Sequence, residues 1–363
     1  MDISIFLELA YADPEQRDLS PVFEEGLQQV ELADKLGYRN VWITEHHFLP
    51  GFSASSSPEI FLAAAAVRTK NIRLGHGIVL LPYRINHPLR IAERVATLDS
   101  ISGGRVDWGG GRAISEIELG AFGVDPDDTV HQWEEALAAI PQMWMNDEFE
   151  WDTPTLQVPK RNVVPKPLQE PHPPMFVAAT QPRSLEFAGK NGLGVLGFGV
   201  QQSDAGSFVE IYEKCIADAN PIGGFVTKRF NVFIIALCLE EQQEALDVQV
   251  PNFRRYWEYV EQLYKPWTKL DKPPESYRYA LESILTAQEA MQKTSMEELS
   301  AAGGAAVGDI DHCVETLQVL ADAGVDEVML HMGSFATPHD KVMRSIELFA
   351  TEVLPRVKQS TKV

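Results

Sequence analysis

The fold is decided by a short apolar stretch, NVWIT at residues 40–44, which lies between two amphipathic segments. β-branched and aromatic residues dominate this stretch and favour a buried strand, which ends at the polar sequence EHH at residues 45–47. The flanking segments, Pro21 to Leu36 and Pro58 to Thr69, carry apolar residues at helical spacing. A buried strand enclosed by two helices predicts a β-α unit of a parallel sheet.

The same alternation extends outward over the chain. The predicted strands are Ile3–Leu9, Asn40–Thr44, Ile72–Leu80, Val106–Gly110, Met175–Ala179, Gly194–Gly199, Phe230–Leu237 and Asp326–His331. The predicted helices are Pro21–Leu36, Pro58–Thr69, Pro88–Ile101, Thr129–Met145 and segments around Ser184, Ser207, Asp311 and Lys341. Right-handed crossovers return each strand beside its predecessor, so eight such units predict an α/β protein with a (β/α)8 TIM barrel.

An open, doubly wound sheet is the alternative architecture. Such sheets usually carry a GxGxxG turn after the first strand, whereas ELAY follows here at residues 8–11. The barrel is therefore favoured, as a single domain over residues 1–363.

Two segments interrupt the alternation, and we expect both at the carboxyl-end face of the barrel. Residues 149–174 contain Trp151 and many prolines, which predicts a hairpin-like insertion that crosses the rim as a wall. Residues 249–304 hold a cluster of eight aromatic residues between Val250 and Leu281. This insertion predicts either an aromatic lid or a helical pair packed on the barrel.

Composition and charge exclude several classes of protein. The 363 residues include 52 acidic and 31 basic side chains, giving a net charge of −21 that repels nucleic acid and anionic membranes. We find no basic leader and no apolar run long enough to cross a bilayer. Three cysteines without short spacing favour neither a disulfide framework nor a thiolate metal site. A cytoplasmic protein is expected.

His46, at the end of the second predicted strand, is the candidate catalytic residue. Imidazole exchanges protons near neutral pH, so a histidine at a strand end can act as a general acid or base. A core histidine held by a carbonyl is the structural alternative. The sequence Glu45-His46-His47 also raises a metal-dependent hydrolase, but neighbouring strand side chains alternate faces and do not readily share one metal.

Glycine-rich strand ends outline a binding site. The third strand contains Gly75 and Gly77, and the fourth ends in GGG at residues 109–111, followed by Arg112. Glycine permits close approach of a flat ligand, and a guanidinium can form a fork onto phosphate. A flexible loop with a surface arginine is the alternative for this last motif.

The fifth strand leads through Thr180 into a helix that begins at Pro182. Free amide groups at a helix N-terminus bind anions, and Arg183 adds a positive charge. Together with the glycine-rich strand ends and Arg112, this start of a helix outlines a site for a planar cofactor with one phosphate. Flavin mononucleotide (FMN) matches this outline.

At these residues the sequence resembles the bacterial luciferase-like flavin monooxygenases, in particular the α chain of bacterial luciferase. The resemblance rests on motifs in a fixed order along nearly the whole chain. They are VWITEHHF (41–48), IVLLP (78–82) with His87-Pro88, LDSISGGR (98–105), Pro174 to Thr180, Gly308-Asp309 and Gly324-Val325-Asp326.

The resemblance implies the barrel, reduced FMN supplied by a separate flavin reductase, and oxygen captured at flavin C4a as a peroxide. It implies that His46 manages protons beside the flavin. It also implies a non-proline cis peptide bond at Gly77-Ile78 against the cofactor, Arg112 as the phosphate ligand and Thr180 as a further contact. Ser184 is a looser match for another cofactor contact.

The resulting hypothesis is a two-component, FMN-dependent monooxygenase that uses O2 to oxygenate a small, largely apolar organic substrate. Trp257 of the aromatic insertion and His331 at the end of the eighth strand are candidate pocket residues. The alternatives are an oxidoreductase of the same fold that uses the deazaflavin F420 for hydride transfer, and a non-catalytic flavin-binding subunit. A homodimer is implied by the resemblance.

Gly111 and Ser115 replace the cysteine and tyrosine of the luciferase chain. Light emission and a preference for long-chain aldehydes therefore do not carry over.

Overall fold

The computed structural model describes residues 1–179, 181–198, 200, 202–282 and 305–358. Its strands are β1 (Asp2–Leu7), β2 (Asn40–Ile43), β3 (Arg73–His76), β4 (Val79–Leu80), β5 (Val106–Gly111), β6 (Phe149–Asp152), β7 (Gln157–Arg161), β8 (Met175–Ala179), β9 (Gly194–Gly197), β10 (Phe230–Cys238), β11 (Ala305–Gly308) and β12 (Glu327–His331). Its helices are α1 (Ser20–Leu36), α2 (Pro58–Arg68), α3 (Pro88–Ser102), α4 (Glu116–Ala121), α5 (Thr129–Met145), α6 (Pro182–Lys190), α7 (Gln202–Ile216), α8 (Gln242–Thr268), α9 (Ile310–Asp322) and α10 (His339–Leu348).

Eight parallel strands of the described chain close into a barrel, which confirms the predicted fold. Pairing runs in the order β1, β2, β3, β5, β8, β9, β10 and β12. The ring closes where β12 pairs with β1, from Asp2 opposite Glu327 to Ile5 opposite Leu330. Parallel pairing brings the carboxyl ends of the strands to one face, where barrel enzymes carry their active sites.

The third predicted strand is split in the structure. β3 ends at His76, the Gly77-Ile78 peptide bond is cis, and β4 resumes the pairing where Val79 lies opposite Gly110. The cis bond implied by the resemblance is thus confirmed. The prediction of one uninterrupted strand from Ile72 to Leu80 was wrong.

The barrel interior is filled by large side chains that alternate with residues of the outer core. Trp42 points inward and its neighbours Val41 and Ile43 pack under the helices. A Cβ on Gly75 would lie 2.2 Å from the Trp42 ring. In this structure Gly75 therefore leaves room for the Trp42 ring itself.

The first insertion forms the antiparallel hairpin β6–β7, as its proline-rich sequence predicted. It does not cross the rim as a wall but packs along the outer side of α5. The Trp151 indole donates to Glu135 at 3.1 Å, and Thr153 and Thr155 of the turn also bond to that carboxylate. The hairpin therefore packs against α5 and stabilises it.

The second insertion begins earlier than expected, because α8 starts at Gln242, directly after β10. The chain returns as β11, which sequence reasoning missed and which pairs with the second half of β10. Residues 283–304 of the predicted lid lie outside the described residues. None of the described helices is long and apolar enough to span a membrane.

Candidate active site at the carboxyl ends of the barrel strands

His46 follows β2 at the mouth of the barrel and is held by a buried carboxylate. Its Nδ1 lies 3.1 Å from Oε1 of Glu118, whose side chain is fully buried. Glu118 belongs to α4, which follows β5, so the contact joins the ends of two different strands. The carboxylate fixes the orientation of the imidazole and leaves Nε2 for other partners.

Glu118 is itself anchored by the start of its helix. It accepts hydrogen bonds from the His47 amide at 3.1 Å and from the Ser115 hydroxyl at 3.0 Å. Ser115 is the N-cap of α4 and also bonds the Glu118 amide, which is a capping motif of Ser-x-x-Glu type. Burial opposes ionisation of Glu118, but His46 and these donors together lower its pKa.

The pKa of His46 is raised above its usual value of 6.5. Burial by itself would lower it, but the charge and hydrogen bond of Glu118 outweigh burial, with smaller contributions from Glu8 and Glu45. His46 therefore retains a proton at neutral pH more readily than a free histidine.

Glu45 and His47 form a second pair that supports the mouth. Glu45 Oε1 lies 3.0 Å from His47 Nε2 and accepts from the Asn86 amide at 2.7 Å. Its Oε2 accepts from the Leu80 backbone amide at 2.8 Å. Glu45 thus ties β2 to the segment that follows the cis peptide bond.

Gly77 and Ile78 lie between the interior and the end of β5. A Cβ on Gly77 would lie 3.2 Å from the Cβ of Trp42, and a Cβ on Gly111 would lie 2.6 Å from the Ile78 side chain. Ile78 therefore packs directly against the backbone of the β5 glycines, which have no side chains to keep it away.

Arg112 continues β5 and is half-buried. Its guanidinium donates to Thr129 at 3.2 Å and to the Ser276 carbonyl at 3.4 Å, and lies 4.7 Å from the centre of the Tyr277 ring. These bonds are long for a cation, since charge-assisted bonds are typically about 2.7–2.9 Å. Within the described chain no carboxylate lies within ion-pair distance of Arg112, so its charge is available to an anion.

Ser184 lies in the first turn of α6, which begins just after β8. Its hydroxyl donates to the Gln181 carbonyl at 2.8 Å. β5 and β8 are adjacent, with Gly110 opposite Val177, so Arg112 and the start of α6 follow neighbouring strands. Thr180 lies outside the described residues.

These residues fit a flavin mononucleotide. An arginine without a carboxylate partner in the described chain and the Arg183 amide at the start of α6 would supply phosphate donors, whereas Pro182 has no N–H and the Ser184 amide already bonds the Gln181 carbonyl. The side chains of Ile78, Leu81 and Leu196 fill the space over the glycines of β5, so a flat ring would lie against Ile78 and not against bare glycine.

Aromatic side chains from α8 cover the mouth. The Tyr259 ring stacks on Phe52 at 4.9 Å, and the Tyr256 ring lies 5.5 Å from Phe52. Trp257 is half-buried and packs with Phe253 against the cluster formed by β10 and β11. The structure thus brings Tyr256 and Tyr259 to Phe52, whose ring lies 5.5 Å from that of His46, while the role of Trp257 stays a prediction.

His331 lies inside the barrel and is completely buried. Its ring contacts Phe6, Phe233 and Tyr256, and its Nε2 lies 3.7 Å from Oε2 of Glu8. It therefore faces the interior of the barrel, and its role as a pocket residue stays a prediction.

Sequence reasoning missed Glu118 and Glu8. The Ser115-x-x-Glu118 pattern was available as a helix-start signal, and Glu8 directly follows β1, where barrel enzymes place functional residues. Their partners could not be found from the sequence, because His46 lies 72 residues from Glu118 along the chain.

The sequence matches the luciferase-like monooxygenases over residues 1–327. The chain belongs to this family. It is 30% identical over 349 residues to 4-hydroxyprotoasukamycin monooxygenase of Streptomyces nodosus subsp. asukaensis, covering 92% of this chain and 86% of that relative. Such relatives support an oxidoreductase enzyme.

Solved structures show the same fold. The monooxygenase RslO1 from Streptomyces bottropensis is similar with a TM-score of 0.81 and 27% identity, over 99% of this chain and 100% of that one. The oxygenating constituent of 3,6-diketocamphane monooxygenase from Pseudomonas putida, in complex with FMN, has a TM-score of 0.80 and 19% identity over the full length of both chains.

The fold also occurs with another cofactor. An F420-dependent secondary alcohol dehydrogenase has a TM-score of 0.73 and 18% identity, over 99% of both chains. The fold alone therefore does not choose between FMN and F420.

Proposed function

We propose that this chain is the oxygenase component of a two-component, FMN-dependent monooxygenase acting on a small, largely apolar organic substrate. The observation that carries the proposal is the protonatable His46 held by Glu118 at the barrel mouth, at the ends of strands that also supply Arg112.

His46 is the proposed catalytic residue. Glu118 raises its pKa and fixes its ring, so the imidazole can hold a proton at neutral pH and deliver it at Nε2. Aromatic rings around it exclude water, which strengthens such polar interactions.

The cofactor supplies the redox chemistry: with two electrons from reduced FMN, one oxygen atom of O2 enters the substrate and the other leaves as water. Arg112 and the start of α6 at Ser184 would hold the phosphate, and Gly77 and Ile78 would lie against the ring. We propose Thr180 as a further contact.

A small apolar substrate suits the ring-lined mouth. Phe52 contacts Tyr256, Tyr259 and Phe335 there, and Tyr259 also contacts Phe335. These rings offer apolar surface with two hydroxyl groups. His331 and Trp257 remain proposed pocket residues. A structural relative is an oxygenating constituent, which supports a separate reductase for this chain as well.

Ligand binding tests the cofactor. Reduced FMN, riboflavin and F420 are titrated anaerobically and followed by fluorescence. We expect FMN to bind best, and Arg112→Ala to weaken FMN by about 1.5–3 kcal/mol more than riboflavin, because only FMN carries the phosphate. The exposed Arg161→Ala on β7, away from the proposed phosphate site, is the matched control.

Other outcomes would redirect the proposal. Tight F420 binding without FMN binding would favour hydride transfer. FMN binding without oxygenated product across a panel of organic substrates, when a reductase and O2 are present, would favour a non-catalytic subunit. Equal weakening of FMN and riboflavin would remove Arg112 from the phosphate site.

The homodimer remains a proposal. Ile60 and Val67 of α2 are 69% and 76% exposed and lie seven residues apart, on one side of the helix. A second copy of the chain would bury them, and sedimentation velocity measures the oligomeric state.

A further inference from the structure

We propose that Glu8, His331 and Ser334 form a proton path that joins the barrel mouth beside His46 to a cavity on the outer side of β1.

The path begins at Glu8, which follows β1 and points into the barrel. Its side chain is buried, and its only hydrogen bond within the described residues is a long one from the Tyr256 hydroxyl to Oε1, at 3.4 Å. Oε2 has no hydrogen-bond partner there. A buried carboxylate with so few donors is costly, and burial accordingly raises the pKa of Glu8, although His331 and His46 oppose the shift.

His331 is the next member, and its surroundings define its tautomer. Nδ1 lies 3.3 Å from the Phe6 carbonyl, which can only accept, so Nδ1 carries a hydrogen. Nε2 is then free to accept. It lies 2.8 Å from the Ser334 hydroxyl and 3.7 Å from Oε2 of Glu8.

Both neighbours of His331 therefore face the same nitrogen. A proton can enter and leave at Nε2 without rotation of the buried ring. This matters because Phe6 and Phe233 pack against the imidazole and oppose a ring flip.

Ser334 connects this interior group to a cavity of about 210 Å³. The cavity lies between the β1–α1 connection and the β12–α10 connection, and Leu7, Leu9 and Ser334 line its inner side. Ala12 and Glu25 also line it and are exposed, so it opens to solvent. Ser334 itself is 2% exposed and touches both the cavity and His331.

The proton transfers balance along this chain. Ser334 gives its hydroxyl hydrogen to His331 Nε2 and takes one from water in the cavity. His331 then passes the Nε2 hydrogen to ionised Glu8, which becomes a neutral carboxyl beside His46. Only O–H and N–H bonds form and break, and the reverse sequence releases a proton.

The surroundings of Glu8 differ from those of a buried glutamate with several donors. Glu327, a buried glutamate at the opposite end of the barrel, bonds to Ser4 and Trp42 and pairs with Arg229. Glu8 has no such set of donors. The use of the path, though not its existence, rests on the proposed function, in which His46 needs a proton supply that does not cross the covered mouth.

Infrared spectroscopy of the unliganded full chain tests the path. The carbonyl stretch of a protonated carboxyl, present in the wild type and absent in Glu8→Gln, identifies Glu8. Its shift after dilution into D2O then measures proton exchange. We expect His331→Phe, which keeps the ring packing, and Ser334→Ala to slow this exchange roughly tenfold or more.

Two variants serve as matched controls. Ser334→Thr keeps the hydroxyl and should exchange at nearly the wild-type rate. Ser53→Ala removes a buried hydroxyl that bonds the Glu8 backbone carbonyl, outside the path, and should also leave the rate unchanged.

Three results would overturn the path: no carboxyl band that Glu8→Gln removes, the same exchange rate in His331→Phe and Ser334→Ala as in the wild type, or equal slowing in Ser53→Ala. Flavin binding of the wild type is measured in parallel. Its failure would count against the proposed function and leave the exchange result standing.

Discussion

Two buried glutamates lie at opposite ends of the barrel, and their surroundings differ sharply. At the amino end, Glu327 accepts from Ser4 at 2.5 Å and Trp42 at 2.7 Å, and pairs with Arg229 at 3.2 Å. At the mouth, Glu8 has one long hydrogen bond and one oxygen without a hydrogen-bond partner in the described chain. Burial raises the pKa of both carboxyls.

The different surroundings of the two glutamates indicate different roles for the two ends of the barrel. A buried charge whose partners are complete holds the strands in place, whereas an incompletely satisfied group is free to exchange a proton. The mouth contains His46 and Glu118 as well, so the titratable groups that chemistry needs gather where the strands end.

The largest effect is expected at the mouth. His46→Ala should lower product formation roughly 10²- to 10⁴-fold, because it removes the group that holds and delivers the proton. Reduced-flavin binding and the urea midpoint should change little. Single-turnover product formation measures the loss, with the exposed His131→Ala as control. Unchanged turnover would remove His46 from the mechanism.

A large loss of stability is expected at the opposite end. Glu327→Ala should lower the free energy of unfolding by about 3–5 kcal/mol, because Arg229 and Arg39 lose the buried carboxylate that both face. Urea unfolding measures this, and Asp311→Ala, which breaks an exposed pair with Arg356, is the control. Similar losses for both variants would contradict the assignment of this end to stability.

A smaller change should appear in the titration of His46. Glu118→Gln keeps the shape of the side chain but removes its charge, so burial dominates and the pKa of His46 should fall. NMR titration of the imidazole protons follows this shift. Glu116→Gln, an exposed change on the same helix, should leave the pKa of His46 unchanged. An unchanged pKa in Glu118→Gln would mean that another charge holds the proton.

The smallest effect is expected for Glu8→Gln. In mildly acidic buffer the unfolding free energy should change by less than about 1 kcal/mol, because a neutral carboxyl and an amide are similar in shape. The pKa of Glu8 is raised on folding, so its contribution to stability is present below the usual value of 4.5 and is lost as the pH rises through the folded-state pKa. The variant should therefore gain stability relative to the wild type as pH rises. If the unfolding free energy of Glu8→Gln differed from that of the wild type by the same amount at every pH, Glu8 would not titrate in this range.

Much of the fold was predictable because its signals are local. Apolar runs at residues 40–44 and 175–179 marked strands, and helix α5 was predicted with its observed bounds, Thr129–Met145. The glycines around the cis bond and the histidine after β2 were also visible. β11 was missed, because four small apolar residues carry too weak a signal without their partner strand.

The sequence by itself determined the barrel, the family and the strand ends that carry the candidate site, because periodicity, turn residues and motif order are properties of neighbouring residues. Only the tertiary structure decided which groups meet: Glu118 with His46, Glu8 with His331, and Ser334 with the cavity. The first two pairs join residues that lie 72 and 323 positions apart along the chain. Their distance in space follows from barrel closure and not from spacing along the chain.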